Sequence, residues 1–135
     1  MEDICNFIPH NNYKSDLQFL HFVYETNVRK LSQPFSHLNY YVNIVFKGSA
    51  VLKFEDKEIH LESGDVFFTF PYQRFYIDAD EKFTFLYISF NGDAASSLLD
   101  RLNINTENCV YKNFDHLLKF FRSNVKHVVS FLSYN

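Results

Sequence analysis

Between Tyr40 and Gly92 the chain alternates short apolar runs with turn residues, and all three of its glycines stand at the joints of that run. Gly48 follows Tyr-Tyr-Val-Asn-Ile-Val-Phe-Lys, Gly64 precedes Asp-Val-Phe-Phe-Thr-Phe, and Gly92 follows Phe-Leu-Tyr-Ile-Ser-Phe-Asn. Glycine enters φ > 0 without a Cβ clash, so it marks the places where a strand must turn sharply. Short strands at this spacing predict a mainly β domain, a sandwich or closed barrel rather than a parallel sheet.

Side-chain alternation within the run supports that reading. Val51–Glu55 and Glu58–Glu62 read as a hairpin across Asp56-Lys57. Leu52, Phe54, Ile59 and Leu61 fall on one face, and Lys53, Glu58, His60 and Glu62 on the other. Tyr40–Phe46 is apolar on both faces apart from Asn43, as expected of a strand covered on both sides. Val66–Phe70 is a strand stopped by Pro71, and Phe75–Asp78 with Phe83–Phe90 reads as a further pair around Ala79-Asp80-Glu81. Upstream, Leu17–Thr26 reads as a strand and Asn27–Asn39, with Pro34, as a connector or edge strand. The division expected is an irregular N-terminal arm over 1–16, a barrel over 17–92 and a helical segment over 93–135.

After Gly92 the apolar period changes from 2 to 3.6. Asp93 is placed to cap a helix over Ala94–Leu102, and Asn103–Asn113 reads as a linker. A second helix is expected from about Asp115 to Leu132, with Phe114, Leu117, Leu118, Phe121, Val125, Val128, Val129 and Leu132 on one stripe. Large apolar side chains are worth about 1.5–3 kcal/mol each when buried, so the stripe must be covered. The outside of the barrel and a second subunit are the two candidates, and both can contribute.

The 135 residues fit one domain, and 17 Phe with 9 Tyr can fill a barrel and still line a cavity. A net charge of −3, with no block of Lys or Arg, argues against direct contact with nucleic acid. Cys5 and Cys109 follow no ligand spacing and read as free thiols of a reducing cytosol, with a disulfide as the alternative. Neither a signal peptide nor an apolar run of membrane-spanning length is evident, so a soluble cytoplasmic protein is expected. The six histidines form no H-x-H or H-x-x-x-H pair, and His60 belongs to a polar strand face; no metal site is expected. No nucleophile elbow or phosphate-cradling glycine loop is present, so no catalytic residue is assigned. Asn43, Tyr76, Tyr87 and Ser89 dot otherwise aromatic and aliphatic strands. Each tyrosine can pack as core with its hydroxyl at the surface, or the polar tips can converge on a small polar ligand.

The pieces Tyr41-Val-Asn-Ile-Val-Phe-Lys-Gly48, Ser63-Gly64-Asp65-Val66 with the strand to Pro71, and Tyr87-Ile-Ser-Phe-Asn-Gly92 followed by a helix carry a resemblance. Over roughly residues 30–102 the chain resembles the N-terminal cupin domain of AraC-type bacterial transcription regulators. The resemblance implies a double-stranded β-helix (jelly-roll barrel) that binds a small effector without a cofactor and forms a homodimer through helices after the barrel. Leu117, Leu118, Phe121, Val125 and Val128 would then belong to the dimer interface. DNA would be bound only through a separate C-terminal helix-turn-helix domain that this chain does not contain. Positions matching the ligand contacts of sugar-binding members are Leu31, Gln33 and His37, then Phe75, Tyr76 and Ile77, then Phe85 and Tyr87. Two of them depart from the family pattern. Phe75 replaces a common histidine, which weakens any metal option, and Gln33 replaces an arginine that some sugar binders use. A sugar-like or other neutral effector is therefore expected. A small metal-free cupin enzyme acting on a sugar is the alternative.

Overall fold

The structure is a computed structural model that describes residues 4–7, 17–26, 30–32, 38–120 and 123. Ten strands form two antiparallel sheets among these residues. They are β1 (Ile4–Phe7), β2 (Gln18–Glu25), β3 (Lys30–Ser32), β4 (Tyr40–Lys47), β5 (Ser49–Phe54), β6 (Lys57–Glu62), β7 (Val66–Thr69), β8 (Tyr76–Ala79), β9 (Thr84–Asn91) and β10 (Val110–Tyr111). The larger sheet has the order β1-β2-β9-β4-β7-β10, and the smaller one β3-β8-β5-β6.

From β2 to β9 the chain changes sheet at every connection but one, the β5–β6 hairpin. This is the jelly-roll winding of a double-stranded β-helix, and the corners explain where the special residues fall. Gly48 (φ +80°) carries the chain from β4 to β5, and a Cβ there would lie 2.6 Å from the Phe83 amide nitrogen. The β7–β8 corner turns at Pro71-Tyr72, with Tyr72 at φ +62° and Gln73 N–H donating to the Phe70 carbonyl at 3.2 Å. The β8–β9 corner is clasped by Asp80. Its Oδ2 accepts from the Ser49 amide (3.0 Å) and hydroxyl (3.1 Å), and its Oδ1 from the Lys82 amide (3.0 Å).

The β6–β7 corner is the most heavily tied. Asp65 is 2% exposed; its Oδ2 accepts from the Glu62 amide at 2.8 Å and meets Lys112 Nζ. Lys112 also donates to the His60 carbonyl at 2.6 Å, and the Phe114 amide donates to the Gly64 carbonyl at 2.8 Å. Gly64 sits at φ +96° with Asp115 Oδ1 2.6 Å from where a Cβ would stand. The corner is thus the seat on which the segment after β10 begins its helix, residues 115–120 (α2).

Two apolar layers result. Inside the barrel, Val45, Leu52, Phe54, Leu61, Phe67, Phe75, Ile77, Phe83 and Phe85 pack as one core. Outside the larger sheet, Phe22, Tyr24, Ile44, Phe46, Val66 and Leu86 are covered by Phe114, Leu117 and Leu118 of the C-terminal segment. Further along that outer face, Phe90 is covered by Ala95 and Leu99 of α1 (Asp93–Arg101) together with Ile104. Double coverage of the larger sheet is why β4 and β9 read as nearly continuous apolar runs.

Several expectations are corrected. The hairpin turns at Glu55-Asp56, one residue earlier than expected, because Glu55 takes the φ > 0 position (+53°) and Lys57 already pairs with Phe54. The segments around 76–79 and 84–91 do not pair with each other: β8 joins β5 and β3, whereas β9 lies between β2 and β4. Gly92, not Asp93, caps α1, and no side chain bonds the helix start. Residues 4–7 of the supposed irregular arm pair with β2, and the linker contains β10, which pairs with β7. Leu118, assigned to a dimer interface, is 2% exposed and buried against the barrel, with Leu117 packed beside it. Phe121, Val125 and Val128 lie outside the described residues.

Two outcomes follow from the corners. Lys112→Met removes the cation from a buried carboxylate; because Lys112 is 44% exposed, the cost should fall at about 1–3 kcal/mol, below that of a fully buried pair. Urea unfolding measures it, and an unchanged midpoint would mean the pair does not hold the corner. For Asp80, desolvation raises the pKa, but hydrogen bonds from Lys82 and Ser49, with the Lys82 charge, together outweigh it and hold the carboxyl below its ordinary value. A folded-state pKa below the unfolded one contributes stability above the unfolded pKa, and this is lost as pH falls through the folded pKa. Asp80→Asn should therefore lose part of the acid limb of the stability–pH profile, read by thermal melts across the acid range. An acid limb identical to wild type would refute the clasp.

Candidate functional site

Cross-strand register arranges the inward-facing residues of the larger sheet in layers. In the first, Glu25 pairs with Phe85 and Phe85 with Val45. In the second, Val23, Tyr87, Asn43 and Phe67 stand in a row across β2, β9, β4 and β7. In the third, the row is His21, Ser89, Tyr41 and Thr69. Period-two alternation sends the neighbours between them (Phe22, Tyr24, Ile44, Phe68, Leu86, Ile88) to the outer face.

The layers differ in chemistry. The first belongs to the phenylalanine core: Phe85 stacks on Phe83 with ring centroids 5.3 Å apart. Moving along the strands, the second and third become polar. Tyr87 lies 5.6 Å from Phe85 and meets Tyr41 edge-to-face at 5.5 Å. His21 Nδ1 and Ser89 Oγ share a hydrogen bond of 2.7 Å, and Ser89 is fully buried. Asn43 Nδ2 donates to the Phe67 carbonyl at 3.0 Å. Tyr41, Asn43, Thr69 and Ser89 are all buried, whereas His21 and Tyr87 keep part of their surface. Two aromatic rings thus stand beside an imidazole, two hydroxyls and an amide, which concentrates ring faces and hydrogen-bonding groups at this end of the barrel. Among the described residues no group of three or more His, Cys, Asp or Glu side chains stands close enough to hold a metal ion. Cys109 is a free, buried thiol whose pKa is pushed up by desolvation.

Residues singled out from the sequence distribute unevenly around this cluster. Tyr87 lies in its centre. Phe85, Phe75 and Ile77 are buried at 0%, 8% and 1% exposure within the phenylalanine core, so they form packed floor rather than open wall. Tyr76 pairs with Lys53 and thus shares the outer face of the smaller sheet, which corrects its assignment to the interior. Leu31 stands opposite Ile77 in the β3–β8 ladder, whereas Gln33 and His37 lie outside the described residues. Asn43 and Ser89 are placed inside, as their parity with Tyr87 requires. His21, Tyr41 and Thr69 were missed. Tyr41 was legible, because it shares strand parity with Asn43, whereas no residue of β7 had been assigned a face that would place Thr69. His21 was not, because β2 carries a register irregularity between Phe19 and His21 that breaks the alternation.

A model of the AraC-like ligand binding domain matches residues 23–123. No curated protein sequence matches the chain. Among solved structures, YhaK from Escherichia coli is similar with a TM-score of 0.56 at 10% identity, over 67% of this chain and 45% of YhaK. This chain thus spans under half the length of that protein, and the likeness shows the fold alone. A cupin-2 domain containing protein from Shewanella frigidimarina aligns with a TM-score of 0.46 at 19% identity, over 63% of this chain and 78% of that one. A Cupin 2 conserved barrel domain protein from Salinispora arenicola gives 0.48 at 17% identity, over 75% and 81%. The family match takes in the chain from Val23 of β2 through the barrel to the C-terminal helix, and the protein belongs to the AraC-like ligand-binding domain family.

Proposed function

We propose that this chain is the effector-sensing part of an AraC-type transcription regulator, acting in the cytoplasm. A small neutral, sugar-like effector binds at the polar end of the barrel among His21, Tyr41, Tyr87 and Ser89, and is bound rather than turned over. The observation that carries the reading is this concentration of buried polar groups and tyrosine rings at one end of an otherwise phenylalanine-filled barrel, in a family of ligand-binding domains. Homodimerisation is assigned to the helical stripe beyond Leu118, because Leu118 itself is occupied by the barrel. DNA is contacted through a helix-turn-helix domain outside this chain, in keeping with the net charge of −3 here.

Binding is tested by thermal shift and calorimetry against a panel of sugars and polyols. An effector at a hundredfold excess over its Kd stabilises the native state by about 2.7 kcal/mol through mass action. Ser89→Ala removes the hydroxyl that pairs with His21 and should weaken binding by about 0.5–1.5 kcal/mol, without unfolding the barrel. Full affinity in that variant would place the ligand elsewhere, and no shift with any compound would remove the sensor reading. For association, Val125→Asp should yield monomer in sedimentation analysis while leaving the β-sheet circular dichroism in place; an unchanged dimer moves the interface off the stripe.

A further inference from the structure

A row of rings crosses the outer face of the larger sheet at the end where β2 and β4 begin. Phe19 lies 6.1 Å from Phe90, Phe90 stacks on Tyr40 at 5.5 Å, and Tyr40 meets Phe70 edge-to-face at 6.2 Å. Helix α1 covers the middle of this row with Ala95 and Leu99, both buried, but does not close over Tyr40 and Phe70, which stay half-buried. Between the sheet, α1 and residues 104–106 a cleft of about 300 Å³ remains, at the lower end of the range for small-ligand sites. Its floor is Tyr40, Phe70, Pro71, Leu99 and Ile104, and its polar rim includes Ser96, Asp100 and Thr106. Ser96 and Asp100 stand four residues apart on α1 and so share one face of it.

Charge decides what fits there. Among the described residues Asp100 is the one formally charged side chain of the lining; it is exposed, and no ion pair among those residues engages it. It also lies in the last turn of α1, where the helix dipole is negative and favours a cation. Arg101, the next residue, answers that dipole, but it projects about 100° away around the helix and takes no part in the lining. A neighbouring cleft of about 530 Å³ shares Phe70, Pro71 and Thr106 and sets Glu55 against Arg74, so it adds no net charge. We infer that the cleft beside α1 is a second binding site, separate from the barrel interior, for an organic cation: a primary or quaternary ammonium on a flat apolar body. The body lies on the Tyr40–Phe70 floor, where ring contact and cation–π attraction act together, and the ammonium faces Asp100. A carboxylate in the same place would meet Asp100 with like charge and is turned away.

Phenethylamine and benzyltrimethylammonium are the probes, set against phenethyl alcohol and phenylacetate, which keep the ring and remove or reverse the charge. Titrated into the intact chain by calorimetry, both cations should bind saturably. The alcohol should bind about two- to fivefold more weakly, the worth of one solvent-exposed charge pair, and phenylacetate more weakly still. Asp100→Asn should weaken both cations by the same factor and leave the alcohol unchanged. Ser96→Trp fills the cleft from an exposed helix position and should abolish binding of all four compounds. Equal affinity for cation and phenylacetate, or full cation affinity in Asp100→Asn, overturns the inference. Cation binding that persists in Ser96→Trp, with its β-sheet circular dichroism intact, overturns it by placing the ligand elsewhere; should that variant fail to fold, Asp100→Asn still decides. No saturable binding of either cation to wild type also overturns it. The barrel site is titrated with sugars, so its reading stands or falls separately.

Discussion

The carboxylate of Asp65 is the point on which the rest of the molecule hangs. It is almost fully buried, yet it is satisfied from two directions, by the Glu62 amide of its own corner and by Lys112 from far along the chain. An isolated buried carboxylate is too costly to persist, so the corner and the C-terminal segment are each incomplete without the other. Gly64 makes the approach possible. Its φ of +96° suits no other residue, and its missing Cβ leaves room for Asp115 while its carbonyl receives the Phe114 amide. One Gly-Asp dipeptide thereby sets the start of β7, the docking of residues 112–115 and the entry angle of α2.

Stability and recognition occupy different ends of the same barrel. Phe67, Phe83 and Phe85 are at most 1% exposed, and burial of each contributes about 1.5–3 kcal/mol. The stacked pair Phe83–Phe85 belongs to that end, where Glu25 is the one polar side chain of the inward layer. Two residues further along β4, β7 and β9, valine gives way to asparagine and tyrosine, phenylalanine to threonine, and phenylalanine to tyrosine and serine. Each of those substitutions subtracts from the core, and only part of the loss returns through the His21–Ser89 and Asn43–Phe67 hydrogen bonds. A barrel evolved only to be stable has no use for this gradient, which is why the polar end carries the functional reading.

How much of this was legible in the sequence follows from which signals are local. Alternation in Leu52, Phe54, Ile59 and Leu61 depends only on a strand's own pleat, so the smaller sheet's faces were read correctly. Glycine corners are equally local, and all three stand where the chain bends. Strand partnership is not local. Phe75–Asp78 and Phe83–Phe90 look like a hairpin because a short turn joins them, but jelly-roll winding sends each to a different sheet. Tyr76 was misplaced for a related reason: its face is set by pairing with Lys53, and nothing within its own strand of four residues fixes the parity. Leu118 shows the remaining gap. Its helical stripe announces that something must cover it, and the sequence cannot say whether that cover is the barrel or a second subunit.

Strand β7 shows why the site and the C-terminal helix cannot be considered separately. Its four residues alternate between them: Val66 and Phe68 face outward toward Tyr111, Phe114 and Leu118, whereas Phe67 and Thr69 face the barrel interior. The Phe67 carbonyl accepts from Asn43, and the Phe68 amide donates to the Cys109 carbonyl on the opposite edge at 2.9 Å. A displacement of this backbone by even a few tenths of an ångström would alter packing on both faces at once, since close-packed interiors absorb little strain. Asp65, immediately before the strand, is tied to Lys112, and the Pro71 turn ends it, so the strand has no slack at either end. Polar cluster and helix seat are therefore two sides of one short, tethered strand, and the geometry of either is specified by the other.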